Sequence, residues 1–505
     1  MLRLLNAARL VTFLTLAGIA SFPLFAEDPV TPSDAATGPE LSLNECVARA
    51  LKKNFDLEIS GYDTQKAKEN VTVAKSAFDP IGFFSSSRAY SKVATSTSAL
   101  NGANRPISDT ENSRLGITET VPTGGTYTLS SNLNRSFSNS SFSLINPAYS
   151  SAVTIAVNQP LLQGFGRTVS EANIETNKLS LVISNLTYKT KILTVIQSTE
   201  NAYYNLVYAR GQLHVRELSL DTALKVLDEA KARKNSGVAT DLDIITAQVG
   251  VATARSNLVT ARQAVKNSQD NLLAVIGQFE LDTAIGVPHF EDFTGPTPTF
   301  DRSYKLALDN DPDFASSQAV IKQAQIALAV AKNQRLPNLS VGGNIGLGGL
   351  KDDPYRSYDQ LTKDQGYTWG VNVQLSFPIG NRGPNAQLRS ALSTLSQNGS
   401  RLRQLEQTVM VSVRTSIRAV EADLETVQLN ATSVTLSEKT YQLEKAKYDA
   451  GLATARELQQ FRDDLDTARI NLLQAKVNLR NALSSLHVLE GSSLDQYHIA
   501  YTEVK

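Results

Sequence analysis

SGVATDLD (residues 236–243) and AGLATARE (residues 450–457) are near-copies of one corner, 214 positions apart. In each, a glycine (Gly237, Gly451) suits the left-handed position just past a helix end. Three residues on, a threonine (Thr240, Thr454) suits the N-cap of a following helix. Three further on, an acid (Asp243, Glu457) completes the capping-box pattern, in which hydroxyl and carboxylate satisfy each other's orphan backbone N–H groups. The spacing predicts helix, tight corner, helix, twice. The 214-residue shift holds without a gap from Lys231/Lys445 to Gly277/Gly491, aligning TARSNL with TARINL and Asn267 with Asn481. Chance rarely keeps register that long, so the chain is a tandem duplication.

Working outward, each corner is preceded by a long stretch without proline, from about residue 170 to 235 and from about 385 to 449. At 1.5 Å per residue each would extend roughly 100 Å if helical throughout. Leu388, Leu395, Leu402 and Val409 are spaced by seven, as are Val413, Val420, Val427, Val434, Tyr441 and Tyr448. A seven-residue repeat predicts coiled-coil packing. The stripe is narrow and is interrupted by Gly399, Glu406 and Asp423, so such a helix needs neighbours on more than one side. After each corner a return helix of about 40 residues, roughly 60 Å, is predicted to reach Gly277 and Gly491.

Further toward the N-terminus, LSLNECVARALKKNFDLEIS opens a helix, with Ser42 and Glu45 as a capping box. ALKKN (50–54) matches ALDND (307–311), and the same shift of 257 pairs Pro80 with Pro337. Alternating segments follow. YTWGVNVQLSFP (367–378) sets Tyr367, Trp369, Val371, Val373, Leu375 and Phe377 against Thr368, Gly370, Asn372, Gln374 and Ser376. NLSVGGNIGLGG (338–349) and SAVTIAVNQP (151–160) do likewise. Period two predicts strands. One face is apolar and the other is Asn, Gln, Ser, Thr and Gly with few charges. That suits a membrane barrel with a wet interior, and a soluble sandwich is the competing reading. A further pair, RLGITETV and TYTLSSNLNRSF around PTGG, either adds strands or folds over the outer mouth.

The 505-residue chain carries 49 Lys+Arg against 49 Asp+Glu, for a formal net charge of 0. That balance gives no reason to expect nucleic acid as a partner. MLRLLNAARLVTFLTLAGIASFPLFAED has a basic start, a short apolar run and a polar break, which reads as a signal peptide over residues 1–26. No later run is long and apolar enough for a membrane helix. Cys46 is the single cysteine and lies in a helix start, so neither an internal disulfide nor a lipid anchor is expected. His214, His289, His487 and His498 are scattered without metal-ligand spacing. No nucleophile elbow, P-loop or HExxH is present, and GFGR and GGNIGLGG sit outside any βαβ unit. Neither an enzyme, a cofactor nor a metal is expected.

Two copies give four principal strands, too few to close a barrel, and open edges are not tolerated in lipid. Three chains would supply 12 strands or more, with the long helices forming a tube and six corners its far rim. The passages VNQPLLQGFGR and LSFPIGNRGP and the two corners are similar to those of the TolC family of outer-membrane efflux and secretion ducts, over about residues 41 to 491. The resemblance implies a mainly α fold with transmembrane β. It implies a trimeric barrel of 12 or more strands in the outer membrane, continued by a coiled-coil α-helical barrel in the periplasm. It implies an exit duct for efflux or type I secretion, with partners that are a homotrimer, a periplasmic adaptor, an inner-membrane transporter reached through it, and outer-membrane lipid. Carried onto this chain, the adaptor-docking tip is Gly237, Val238, Ala239, Thr240, Gly451, Leu452, Ala453 and Thr454. The periplasmic constriction is Asp243 and Glu457. The chain departs from the family in having Gln460 nine residues after Gly451, with Asp463 and Asp464 one turn on. The organisation expected is a signal peptide (1–26), a linker (27–40), a first repeat (41–280), a linker (281–300), a second repeat (301–491) and a tail (492–505). The competing function is an exported coiled-coil stalk or adhesin without a channel. An outer-membrane hydrolase would need a convergent polar site that the sequence does not show.

Overall fold

The computed structural model describes residues 41–499, apart from 94–101, 104, 238, 279–287, 289, 291–292, 294 and 364–365. The expected signal peptide and first linker lie outside the described residues, as does most of the second linker.

The chain enters through α1 (Leu43–Lys53) and α2 (Phe55–Lys75). Ser42 caps α1 by accepting from the Glu45 N–H. Sequence reading takes this stretch as one helix, but the structure breaks it at Asn54. The Asn54 side chain accepts from the Asp56 and Leu57 N–H groups and so starts a new helix. The second copy repeats the break at Asp311, between α6 (Phe300–Asn310) and α7 (Pro312–Gln334), with Pro312 in the first helical turn. ALKKN and ALDND therefore mark this shared joint.

α2 leads into four strands, β1 (Ile81–Lys92), β2 (Ile107–Thr120), β3 (Thr126–Ser138) and β4 (Ala148–Pro160). The second copy supplies β5 (Asn338–Lys351) and β6 (Tyr367–Ser376), joined through α8 (Pro354–Lys363). All six form one antiparallel sheet in chain order. This decides the placement of the extra pair: β2 and β3 lie inside the sheet between β1 and β4, and the sheet has six strands rather than four. PTGG forms the β2–β3 turn, where Gly124 has φ +87° and a Cβ would lie 2.1 Å from the Gly164 carbonyl oxygen. The Gly166 N–H donates to the Thr123 carbonyl at 3.0 Å, tying that turn to the next helix start.

β4 passes through the one-turn α3 (Arg167–Ser170) into α4 (Ala172–Asn235), the first corner and α5 (Asp241–Val275). β6 leads in the same way to α9 (Arg382–Asp449), the second corner and α10 (Ala455–Glu490). α4 has 64 residues and α9 has 68, each about 100 Å long. Val409, Val413, Ile417 and Val420 of α9 are buried against Ala307 of α6 and Leu479, Leu483 and Leu486 of α10. The equivalent cluster of the first copy packs Cys46, Val47 and Ala50 of α1 on Ile192, Ile196, Tyr203, Leu272 and Leu273. Ala50 and Ala307 occupy matching positions, each with no exposed surface. A small side chain there lets the short helix lie close on the long pair. Burial holds the Cys46 thiol at a pKa of about 12, keeping it an inert core residue. At the chain's end, α11 (Ser493–Gln496) packs back, and buried Glu200 accepts from Ser484 and from the Tyr497 hydroxyl.

Candidate functional site

The two corners share the hydrogen bond that turns the chain out of the helix. In the second, the Leu452 N–H donates to the Lys447 carbonyl at 2.8 Å and the Gly451 N–H to the Tyr448 carbonyl at 3.0 Å, a Schellman pair. In the first, the Gly237 N–H donates to the Lys234 carbonyl at 2.8 Å. The motif needs a left-handed residue, and Gly237 and Gly451 have φ of +74° and +76°. Both face open space, with no heavy atom within 4 Å of an added Cβ. Leu452 projects from the tip with 80 % of its surface exposed. Thr240 and Thr454 are exposed and Ala239 and Ala453 half-buried, while Val238 lies outside the described residues.

Asp243 and Glu457 complete their capping boxes. The Thr240 N–H donates to Asp243 Oδ2 at 2.8 Å, and the Asp243 N–H donates to Thr240 Oγ1 at 3.4 Å. In the second corner these distances are 2.8 Å and 3.3 Å. The backbone N–H of each threonine, seconded by its hydroxyl, holds both carboxyls below the usual carboxylate range. Both acids are therefore ionised at neutral pH and turned onto the backbone. Gln460 donates to Asp464 at 3.0 Å, and Asp463 accepts from Arg462 at 3.1 Å.

The structure adds a link that spacing alone does not show. The Arg233 guanidinium lies 4.0 Å above the Tyr448 ring and donates to the Tyr448 carbonyl at 2.7 Å. Arg233 ends the first long helix and Tyr448 the second, so this contact joins the two corners. Beneath it, Val226, Ala230, Ala247, Tyr448, Ala455 and Leu458 form one apolar cluster from all four helices. The heptad singles out Tyr448, but nothing in the sequence pairs it with Arg233. One turn deeper, Arg462 and Asp466 are buried together, with Arg462 donating to the Ser219 carbonyl. Burial raises the Asp466 carboxyl above its usual range. Among the described residues, no group of three His, Cys, Asp or Glu is placed to hold a metal.

The pattern of residues defining outer membrane efflux proteins matches residues 46–278 and 303–492, well over half of the chain. The chain belongs to the outer membrane efflux protein family. Among curated relatives, this efflux family protein is 29 % identical to the pyoverdine export outer membrane protein OpmQ of Pseudomonas putida. It is 23 % identical to outer membrane protein TolC of Escherichia coli. Each alignment covers 60 % of this chain and 64 % of the relative, so under two thirds of the relatives' length is matched. The CmeC outer membrane channel of Campylobacter jejuni superposes at a TM-score of 0.67 with 17 % identity, over 89 % of this chain and 85 % of that one. CusC superposes at 0.68 with 14 % identity, over 93 % and 99 %. At such identities the likeness is one of fold. The efflux family protein thus has the channel-type fold that its duplicated corner predicts, and its place is the outer membrane. Its family is one of ducts and not of enzymes.

Proposed function

We propose that three copies of this chain form an outer-membrane exit duct of a tripartite efflux or type I secretion system. The duct passively conducts substrates from a periplasmic adaptor and inner-membrane pump to the outside. The observation that carries this reading is a two-faced sheet whose edges, β1 and β6, are unpaired among the described residues, joined to 100 Å helices that end in two matching corners. Val153, Ile155, Ile345, Leu347, Trp369 and Val371 share one face, as the register requires. Asn, Ser, Thr and Gly share the other. Lipid tolerates such a sheet only when its edges pair. Three copies supply 18 strands, within the range that leaves an aqueous lumen. Exposed Leu242, Ile245 and Val249 on α5, and Leu429, Leu436 and Leu443 on α9, are apolar rows that a neighbouring copy would cover in the tube. A channel-less stalk or adhesin gives no reason for such a sheet.

In this reading the tip that docks on the adaptor is Gly237–Thr240 with Gly451–Thr454, and Asp243 and Glu457 ring the constriction. Their caps support the second role, since they keep the acids ionised and fix them at the corner. The two structural repeats are residues 41–280 and 301–491, with 1–26 as signal peptide.

The test is conductance of the purified protein in planar bilayers, together with its mass in detergent. Trimers that open pores are expected, with cation selectivity that falls in the Asp243→Ala/Glu457→Ala double variant. A monomer that opens no pores would overturn the proposal.

A further inference from the structure

The polar face of the sheet is almost free of charge. Strand register assigns to it Ser85 and Ser87 on β1, Asn112 on β2, Ser130 and Asn132 on β3, Thr154 on β4, Asn344 on β5 and Asn372 on β6. Among the described residues of the six strands, one charged side chain shares that face: Arg114 of β2. Every other charge on the strands, including Arg88, Asp109, Glu111, Glu119 and Arg135, lies on the opposite face toward the strand ends. Arg88 and Arg135 both bind Asp109 there.

Arg114 sits near the middle of its strand, six residues before Thr120, about 20 Å from the helix-proximal end. Its setting is built from three strands. Gly116 lacks the side chain that would block Phe83, because a Cβ there would lie 2.6 Å from Phe83 Cζ. Phe83 therefore reaches over Gly116, and the Arg114 guanidinium is 5.3 Å from that ring's centroid. Ser130 on β3 accepts from Arg114 Nη2 at a long 3.5 Å. Aromatic face and hydroxyl orient the group without neutralising it, and among the described residues no acid pairs with it. An unpaired arginine at this depth is destabilising on a lipid face, so it belongs with the wet one.

We infer that Arg114 makes the β-domain lumen attractive to anions: three copies place three oriented, unneutralised guanidinium groups at one level of an otherwise uncharged wall, a contact site for anionic solutes in transit. This rests on the barrel reading above. An 18-strand lumen is wide, so the groups act through their field rather than by jointly gripping one ion. Their influence reaches roughly 30 Å at 0.01 M salt but about 3 Å at 1 M. The preference for anions therefore belongs to low ionic strength.

The test is the reversal potential of single channels in a tenfold KCl gradient, about 10 mM against 100 mM, the range in which screening is weak. Wild type is compared with Arg114→Gln and with Arg114→Lys. Each is also measured in the Asp243→Ala/Glu457→Ala background, where tip charge cannot dominate. Arg114→Gln is expected to shift permeability toward cations by severalfold at low salt and not at all at 1 M, with Arg114→Lys close to wild type. If Arg114→Gln fails to assemble, the tip-neutralised parent decides alone: it must prefer chloride at low salt. Equal reversal potentials for Arg114→Gln and its parent, or no chloride preference in the tip-neutralised channel, would overturn the inference while leaving the duct standing. Absence of any pore would instead overturn the duct reading.

Discussion

Replacing Gly451 by asparagine separates the corner's role in folding from its proposed role in docking. Gly451 has φ +76° and no heavy atom within 4 Å of where a Cβ would sit. The cost of a side chain is therefore backbone strain alone. For alanine in the left-handed region that is about 1 kcal/mol, roughly a fivefold change in the local equilibrium. Asparagine tolerates that region better, so Gly451→Asn and Gly237→Asn should each cost less. Gly277 gives the contrast: φ is +71°, but a Cβ would lie 2.2 Å from the Lys53 carbonyl oxygen. Gly277→Ala adds overpacking of about 1–3 kcal/mol to the same strain. The assay is trimer yield by native gel beside dye efflux in cells. Gly277→Ala should lose trimer. Gly451→Asn and Gly237→Asn should keep it and yet lose export, because they place a polar side chain on the proposed docking surface. Wild-type export in both asparagine variants refutes the docking role. Loss of trimer in Gly451→Asn refutes the claim that the corner has room to spare.

The caps should fail in acid. Asp243 and Glu457 titrate below their usual range in the folded chain, so their stabilisation is complete above the ordinary carboxylate pKa, near 4, and is lost as pH falls through the depressed values. Amide exchange at Thr240 and Thr454, corrected for intrinsic rate, should rise severalfold at that point, and a flat profile would show that the carboxylates do not hold the corners. Burial raises the Asp466 carboxyl, so its protonated form favours folding and that advantage is lost as pH rises through the raised value. Asp466→Asn should raise thermal stability at pH 8 and converge with wild type in acid; a clear loss would mean that Asp466 is a working partner of Arg462.

The sequence by itself determined the duplication, both corners, the long helices and the alternation of the strands. These are local matters: a left-handed glycine, a threonine three residues before an acid, and periods of two and seven are each fixed by the backbone nearby. The break at Asn54 was within reach, since Asn54 and Asp311 stand at matching positions and both residue types cap helices. Tertiary structure alone decided the rest. RLGITETV alternates equally well in a sheet or across a mouth, and only the register of β2 against β1 places it and brings the sheet to six strands. Arg233 and Tyr448 meet because two 100 Å helices end side by side, although 215 residues separate them in the chain. Arg114 looks like any strand arginine until pairing assigns every neighbour to a face. Long-range pairing sets such contacts, and a one-residue slip would have turned that charge onto the apolar face.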